Sequence, residues 1–236
     1  MNIISKIYVI GDKTREPDRI NYLESYFSSE SLTNIVEYFQ PTYKDTLTQQ
    51  EISKYVPINK SLYNRQLRRG EISLFINFIY LFEKILSSHT EGTFLIFESD
   101  VLFKDSISRY MNLITPTITS IPYDCISLGS GCDRIHSIVN KETTTIHCVR
   151  KVSTRCTDSF IFSYQGIQKF YNYITEFLNE GKSLNQPIDN FMDTFMAQNN
   201  TFHYYWAMPC LCVQGSQLNV YTSSVQPSTD DPNISS

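Results

Sequence analysis

Hydrophobic residues recur along this chain in two rhythms, and the rhythms take turns. From Glu71 to Ser88 the apolar side chains Leu74, Phe75, Phe78, Ile79, Phe82, Ile85 and Leu86 keep the three-to-four spacing of a helix with one buried face. Ile167, Phe170, Ile174, Phe177 and Leu178 repeat that spacing and predict a helix over 165–178, with Gly181 as its stop. Shorter helices are predicted over 18–27, with Ile20, Leu23 and Phe27 on one face, and over 188–197. The second rhythm is the short extended segment rich in apolar, aromatic and β-branched residues, giving strand candidates at 6–10, 32–38, 93–101, 123–128, 143–149, 159–163 and 202–207. The continuous apolar run that opens 93–101 reads as a strand buried on both faces, in a sheet covered by helices. The stretch from Pro41 to Arg69 is polar and predicts a loop-rich insertion with little core. Alternating strands and helices, with no repeat and no clear linker, predict one α/β domain over 1–222. A Ser-, Pro- and Asp-rich tail over 223–236 is expected to be mobile.

Composition narrows the partners more than the fold. Of 236 residues, 41% are hydrophobic and 14% aromatic, enough for a full core. Alanine occurs only at Ala197 and Ala207, a bias that points to an AT-rich genome, bacterial or of a large virus, rather than to any chemistry. The net charge of −4 comes with no basic stripe, which argues against a nucleic-acid partner. No apolar stretch is long enough to span a membrane, and Met1 to Ile10 lacks a signal-peptide pattern, so the expected location is cytoplasmic. The six cysteines include no CxxC pair, so a zinc site is not expected and buried or partly buried thiols are. The sequons at Asn59, Asn199 and Asn233 matter only in a secretory lumen. Oligomeric state is not legible.

The run Thr93–Phe94–Leu95–Ile96–Phe97–Glu98–Ser99–Asp100–Val101 carries the chemistry. Open α/β sheets bind ligands beyond the carboxyl ends of their strands. If the chain stays extended, Glu98 and Asp100 point to one side and Ser99 to the other. Two like charges there repel unless donors or a cation sit between them. A divalent ion carrying a diphosphate suits the place; a solvated strand end with two surface acids is the plain alternative. Neither His136 nor His147 has acidic or Cys partners at ligand spacing, and His203, among Phe202, Tyr204, Tyr205 and Trp206, reads first as a packed histidine.

Six segments in order make the chain resemble glycosyltransferase family 25, the group of bacterial lipooligosaccharide galactosyltransferases and collagen-modifying galactosyl- and glucosyltransferase domains. They are Ile7–Tyr8–Val9–Ile10 with Asp12, Arg15 and Arg19 after it; Arg69–Gly70–Glu71–Ile72–Ser73; Leu95 to Val101; Thr157 to Ser163 with Gly166; Pro187–Ile188–Asp189; and Met208–Pro209 with Val213–Gln214–Gly215–Ser216. The middle acid of the family's Glu-Asp-Asp is Ser99 here.

The resemblance implies a GT-A-like fold: a mixed, mainly parallel sheet between helices, with a Rossmann-like nucleotide-binding half. It implies transfer of galactose or glucose from a UDP-sugar to a glycan or glycoprotein hydroxyl, with inversion and with Mn2+ or Mg2+. Glu98 and Asp100 would then hold the ion, Asp100 more directly. Val9, Ile10, Gly11 and Asp12 would flank the uridine, and Arg19 or Arg69 would pair with phosphate. Gln214 would reach the diphosphate. Glu71 would bond the nucleotide or sugar, or cap its own helix. A single displacement needs one general base. Asp189 is the first candidate, with N-capping as its competing role, and Asp158 is the second; Asp193 reads as a solvated face residue. Two other classes stay open: a catalytically silent sugar-nucleotide or glycan-binding module, and a metal-dependent phosphoesterase or nucleotidyltransferase.

Overall fold

The computed structural model describes residues 3–57, 65–131, 143–154 and 156–222. The C-terminal tail, His136, Cys132 and the sequons at Asn59 and Asn233 lie outside them. The chain order is β1 (Lys6–Ile10), α1 (Pro17–Ser29), β2 (Val36–Phe39), α2 (Gln49–Tyr55), α3 (Arg69–Ser88), β3 (Thr93–Glu98), β4 (Val101–Phe103), α4 (Ile107–Ile118), β5 (Cys125–Ser127), β6 (His147–Arg150), β7 (Ser159–Ser163), α5 (Tyr164–Asn179), α6 (Ile188–Gln198), β8 (Tyr204–Met208) and β9 (Cys212–Gln214).

Seven strands form one mixed sheet in the order β2-β1-β3-β7-β5-β8-β6. The pairs β1–β2, β1–β3 and β5–β8 are parallel; β3–β7, β5–β7 and β6–β8 are antiparallel. Five strands therefore run one way, and β7 and β6 run against them. The short β4 and β9 pair separately.

Period-two alternation divides each central strand between two cores. Tyr8, Ile10, Phe94, Ile96, Phe160 and Phe162 face a cluster built with α3, α5 and α6. Ile7, Val9, Leu95, Phe97 and Ile161 face a second cluster that includes α1 and α4. The first core is dominated by edge-to-face aromatic pairs, such as Phe82 with Phe162 at 5.5 Å and Phe75 with Phe191 at 5.1 Å.

From β1 the chain goes one way through α1 to β2, then returns through α3 to β3 on the other flank of β1. Because α1 and α3 lie on opposite faces, a crevice opens at the carboxyl ends of β1 and β3, where strand order reverses.

Three expectations change. The insertion over 41–69 is not coreless: Leu47, Tyr55, Val56 and Leu67 are buried against α3, and α2 begins with a Thr48–Glu51 capping box. A Thr-rich stretch with Pro116 conceals α4, whose Ile107, Tyr110, Met111, Ile114 and Ile118 are all buried. The acidic strand stops at Glu98, and Ser99–Asp100 form a turn before β4. Simple alternation therefore does not set the direction of Asp100.

Candidate active site

The crevice at the β1/β3 carboxyl ends is an open cleft. Its β1 side is Ile10, with Glu16 and Arg19 from the start of α1; its β3 side is Glu98, Ser99 and Asp100. Thr42, Tyr43 and Lys44, after β2, and Gly70, Ser73 and Asn77 of α3 complete the wall. Asn77 is buried and pairs with both backbone groups of Thr42: Thr42 N–H donates to Oδ1 at 2.7 Å, and Nδ2 donates to the carbonyl at 3.1 Å. Ser73 donates to the same carbonyl. The long helix thus holds the loop after β2 in place. Arg69 does so too, donating to the carbonyls of Lys44 (2.8 Å) and Leu47 (2.5 Å). Its guanidinium is engaged in holding a loop, and it is not among the cleft-lining residues.

β1 and β3 approach closely at this end. A Cβ on Gly11 would stand 2.8 Å from Ser99 Cβ and 2.9 Å from Ile20 Cδ1, so only glycine fits. Val9 is buried on the α1 face, while Asp12 closes an Asx turn, accepting from Thr14 N–H and Oγ1 at 2.8 Å. Those bonds hold the Asp12 carboxyl below its ordinary range. Of the four positions expected to flank a nucleoside, Ile10 lines the cleft.

Arg19 is buried and tightly held. Its Nη1 donates to Glu16 Oε1 at 2.6 Å and to Ser99 Oγ at 3.2 Å. Its Nη2 donates to the Thr222 carbonyl, and its guanidinium lies 5.2 Å from the centroid of the Tyr221 ring. Ser99, where the resemblance led one to look for a carboxylate, is integrated instead into the Arg19–Glu16 pair.

Glu98 and Asp100 line the cleft with Arg19, and three acids, Asp100 among them, act electrostatically on Glu98. Burial, then the charge of Asp100, push the Glu98 carboxyl up to about 8; Asp158 and Asp189 add to the push, and a 2.6 Å bond from Thr157 Oγ1 opposes it. Burial also raises Asp100, against a 2.6 Å bond from Ser216 Oγ and the charge of Arg19. Asp100 Oδ1 is buried and has no hydrogen-bond partner among the described residues. Gly215 N–H donates to the Asp100 carbonyl at 2.7 Å, so the turn after β9 clamps this residue at both ends. Gln214 ends β9 opposite Val101, where it accepts from Gln217 Nε2 at 2.7 Å.

Asp158 precedes β7 and is 1% exposed. Its carbonyl accepts from Glu98 N–H at 2.8 Å, and its carboxylate occupies the room left by the missing Cβ of Gly129. Asp189 stands half-buried in the first turn of α6, whose N-cap is Pro187. The loop before β7 is tied to this helix: Thr154 N–H donates to Asp193 Oδ1 at 2.6 Å, and Thr154 Oγ1 donates to the Asp189 carbonyl. Asp193 is therefore a loop anchor rather than a solvated face residue.

Glu71 is engaged elsewhere. It accepts from Arg65 through both oxygens, at 2.7 and 2.5 Å, and from Arg68 N–H at 2.8 Å, closing a capping box. Burial raises this carboxyl, but those bonds outweigh it and hold it below the ordinary range. Its capping role is the one realised, and it does not line the cleft. His203 stands just before β8 and does not line the cleft, its backbone N–H donating to Asp124 Oδ2 at 2.7 Å. Glu16 and Tyr43 were not singled out in the sequence; a polar loop and a lone acid before Pro17 carry no motif.

Among the described residues no three His, Cys, Asp or Glu side chains gather as a ready-made metal cage. The donor set still fits a hard divalent cation: two carboxylates raised by burial, one with an orphaned buried oxygen. Mg2+-like ions bound with nucleotides commonly use one or two carboxylates, with phosphates and water completing the shell.

Residues 4–192 match the family model for glycosyltransferase family 25 (LPS biosynthesis protein). No curated protein matches the chain.

Proposed function

The chain belongs to glycosyltransferase family 25, and we propose that it moves a hexose, galactose or glucose, from a UDP-sugar to a hydroxyl of a glycan or glycoprotein acceptor, with inversion and with the help of Mn2+ or Mg2+. One observation carries the reading. The cleft at the strand-order reversal joins a pinned arginine to the Glu98–Asp100 pair, whose charges are mutually unfavourable and whose Asp100 Oδ1 is buried without a partner among the described residues. A cation bridging to a diphosphate would satisfy that oxygen and relieve the repulsion.

Asp100 and Glu98 would hold the cation, which supplies charge neutralisation to the departing diphosphate. Arg19, already aligned by Glu16 and Ser99, offers its guanidinium to phosphate oxygens. The loop after β2 and Leu74 form the cleft end suited to the nucleoside. Asp189 takes the role of general base: it is half-buried rather than sealed, and sits at a helix N-terminus within electrostatic reach of Glu98. Asp158, almost fully buried, is better suited to holding the shape of the acidic floor. A base on this side removes the acceptor proton while the leaving UDP is stabilised on the other, as a single displacement requires.

The test is UDP release from a panel of UDP-hexoses, with and without EDTA. Turnover with one sugar that EDTA abolishes supports the proposal. UDP binding without turnover, even with glycan acceptors present, favours a silent binding module.

A further inference from the structure

Glu16 lines the cleft and is fixed there by three donors from three places. Arg19 Nη1 and Ser99 Oγ bond Oε1 at 2.6 and 3.0 Å, and Tyr43 OH bonds Oε2 at 2.8 Å. The Glu16 side chain is 11% exposed. Burial and the nearby Glu16 charge raise the Tyr43 phenol, so it stays protonated and donates. A carboxylate has about four acceptor positions and these donors use three. The fourth belongs to a group that is preorganised and lines a cleft.

The bonds of Glu16 identify the chemistry. Its Oε2 meets Tyr43, next to Pro41 and Thr42 in the loop that Asn77 holds, an environment for a planar base; its Oε1 meets Arg19 and Ser99, next to Asp100, an environment for diphosphate. The element of a nucleoside diphosphate between base and diphosphate is the ribose, whose hydroxyls donate. We infer that Glu16 is a specificity-determining residue that accepts a hydrogen bond from a ribose hydroxyl and so selects ribonucleoside over deoxyribonucleoside diphosphates. This rests on the nucleotide reading above. Arg19, Ser99 and Tyr43 serve as positioning residues that hold the carboxylate still.

The experiment is calorimetric titration of UDP and 2′-deoxy-UDP, with Mn2+, into wild type, Glu16→Ala, Glu16→Gln and Tyr43→Phe. Wild type should prefer UDP by about tenfold, the scale of one hydrogen bond to a charged group. Glu16→Ala should bind the two ligands within about twofold of each other, whatever its absolute affinity, and Glu16→Gln should fall between. Tyr43→Phe should keep most of the preference, because Arg19 and Ser99 still hold the carboxylate. A general packing defect would weaken both ligands alike and leave the ratio intact. Equal binding by wild type overturns the inference, as does a preference that survives in both Glu16 variants. A wild type that binds neither ligand overturns the nucleotide reading and this inference with it. Should Glu16→Ala fail to fold, the ratio in Glu16→Gln decides.

Discussion

Glu71 at the start of α3 and Glu98 at the end of β3 are both drawn out of water, yet their surroundings oppose each other. Glu71 meets a guanidinium and a helix N-terminal N–H, and its carboxyl is held below the ordinary range. Glu98 feels the charge of three other acids and accepts from one hydroxyl, and its carboxyl is pushed up to about 8. Burial raises both carboxyls, and their partners then push in opposite directions. An acid matched by its own chain stabilises the fold. An acid left unmatched by its own chain is kept at a cost, and that cost makes sense when something outside the chain supplies the missing charge.

The comparison breaks most sharply at Asp100. Asp100→Ala should lower hexose transfer by about a thousandfold, the scale of several kcal/mol of leaving-group stabilisation. It should leave the melting temperature unchanged or higher, because a buried like charge is removed; a variant that unfolds instead would reclassify Asp100 as structural. Asp189→Asn should cost about a hundredfold or more in kcat while UDP binding stays near wild type. A matching loss of UDP affinity would move Asp189 from base to donor binding.

Proton linkage sharpens the contrast in a cation-free buffer. The Glu98 carboxyl rises from its ordinary 4.5 to about 8 on folding. Between those values the folded protein keeps a proton that the unfolded chain has lost, so stability falls as pH rises through the window. Urea midpoints measured from pH 5 to 8 should fall in wild type, and Glu98→Gln should flatten the trend. Mn2+ should flatten it too, displacing the proton. The smallest effect is at the matched acid: Glu71→Ala should cost about 1 kcal/mol in stability through its lost cap, with the half-exposed Arg65 pair adding little. Donor selectivity should not change.

Much of this was legible in the chain itself. The helices at α3 and α5 follow from apolar spacing, and Lys6–Ile10 and Ser159–Ser163 stand where the strand candidates were placed. The acidic end of β3 stood out by its chemistry as a candidate site, and the ordered motifs pointed to the family that residues 4–192 match. Helix α4 was hidden because Pro116 reads as a breaker, although only its own residue lacks the N–H. The buried turns of 41–69 were hidden because Leu47, Tyr55 and Leu67 are spaced by no period; they earn burial from α3, a distant element.

Pattern and composition determined the layers, the long helices and the presence of a paired acid, since these depend on neighbours within a few residues. Tertiary structure decided which acids are matched. Glu71 and Arg65 are six residues apart, but Glu98 meets Thr157 and Asp100 meets Ser216 across 59 and 116 residues. Glu16 gained its place from Ser99 and Tyr43, 83 and 27 residues away. Charge repulsion and hydrogen bonding act over a few ångströms in space, whatever the separation along the chain. Only the folded sheet, reversing its strand order beside β1, brings those distances within reach.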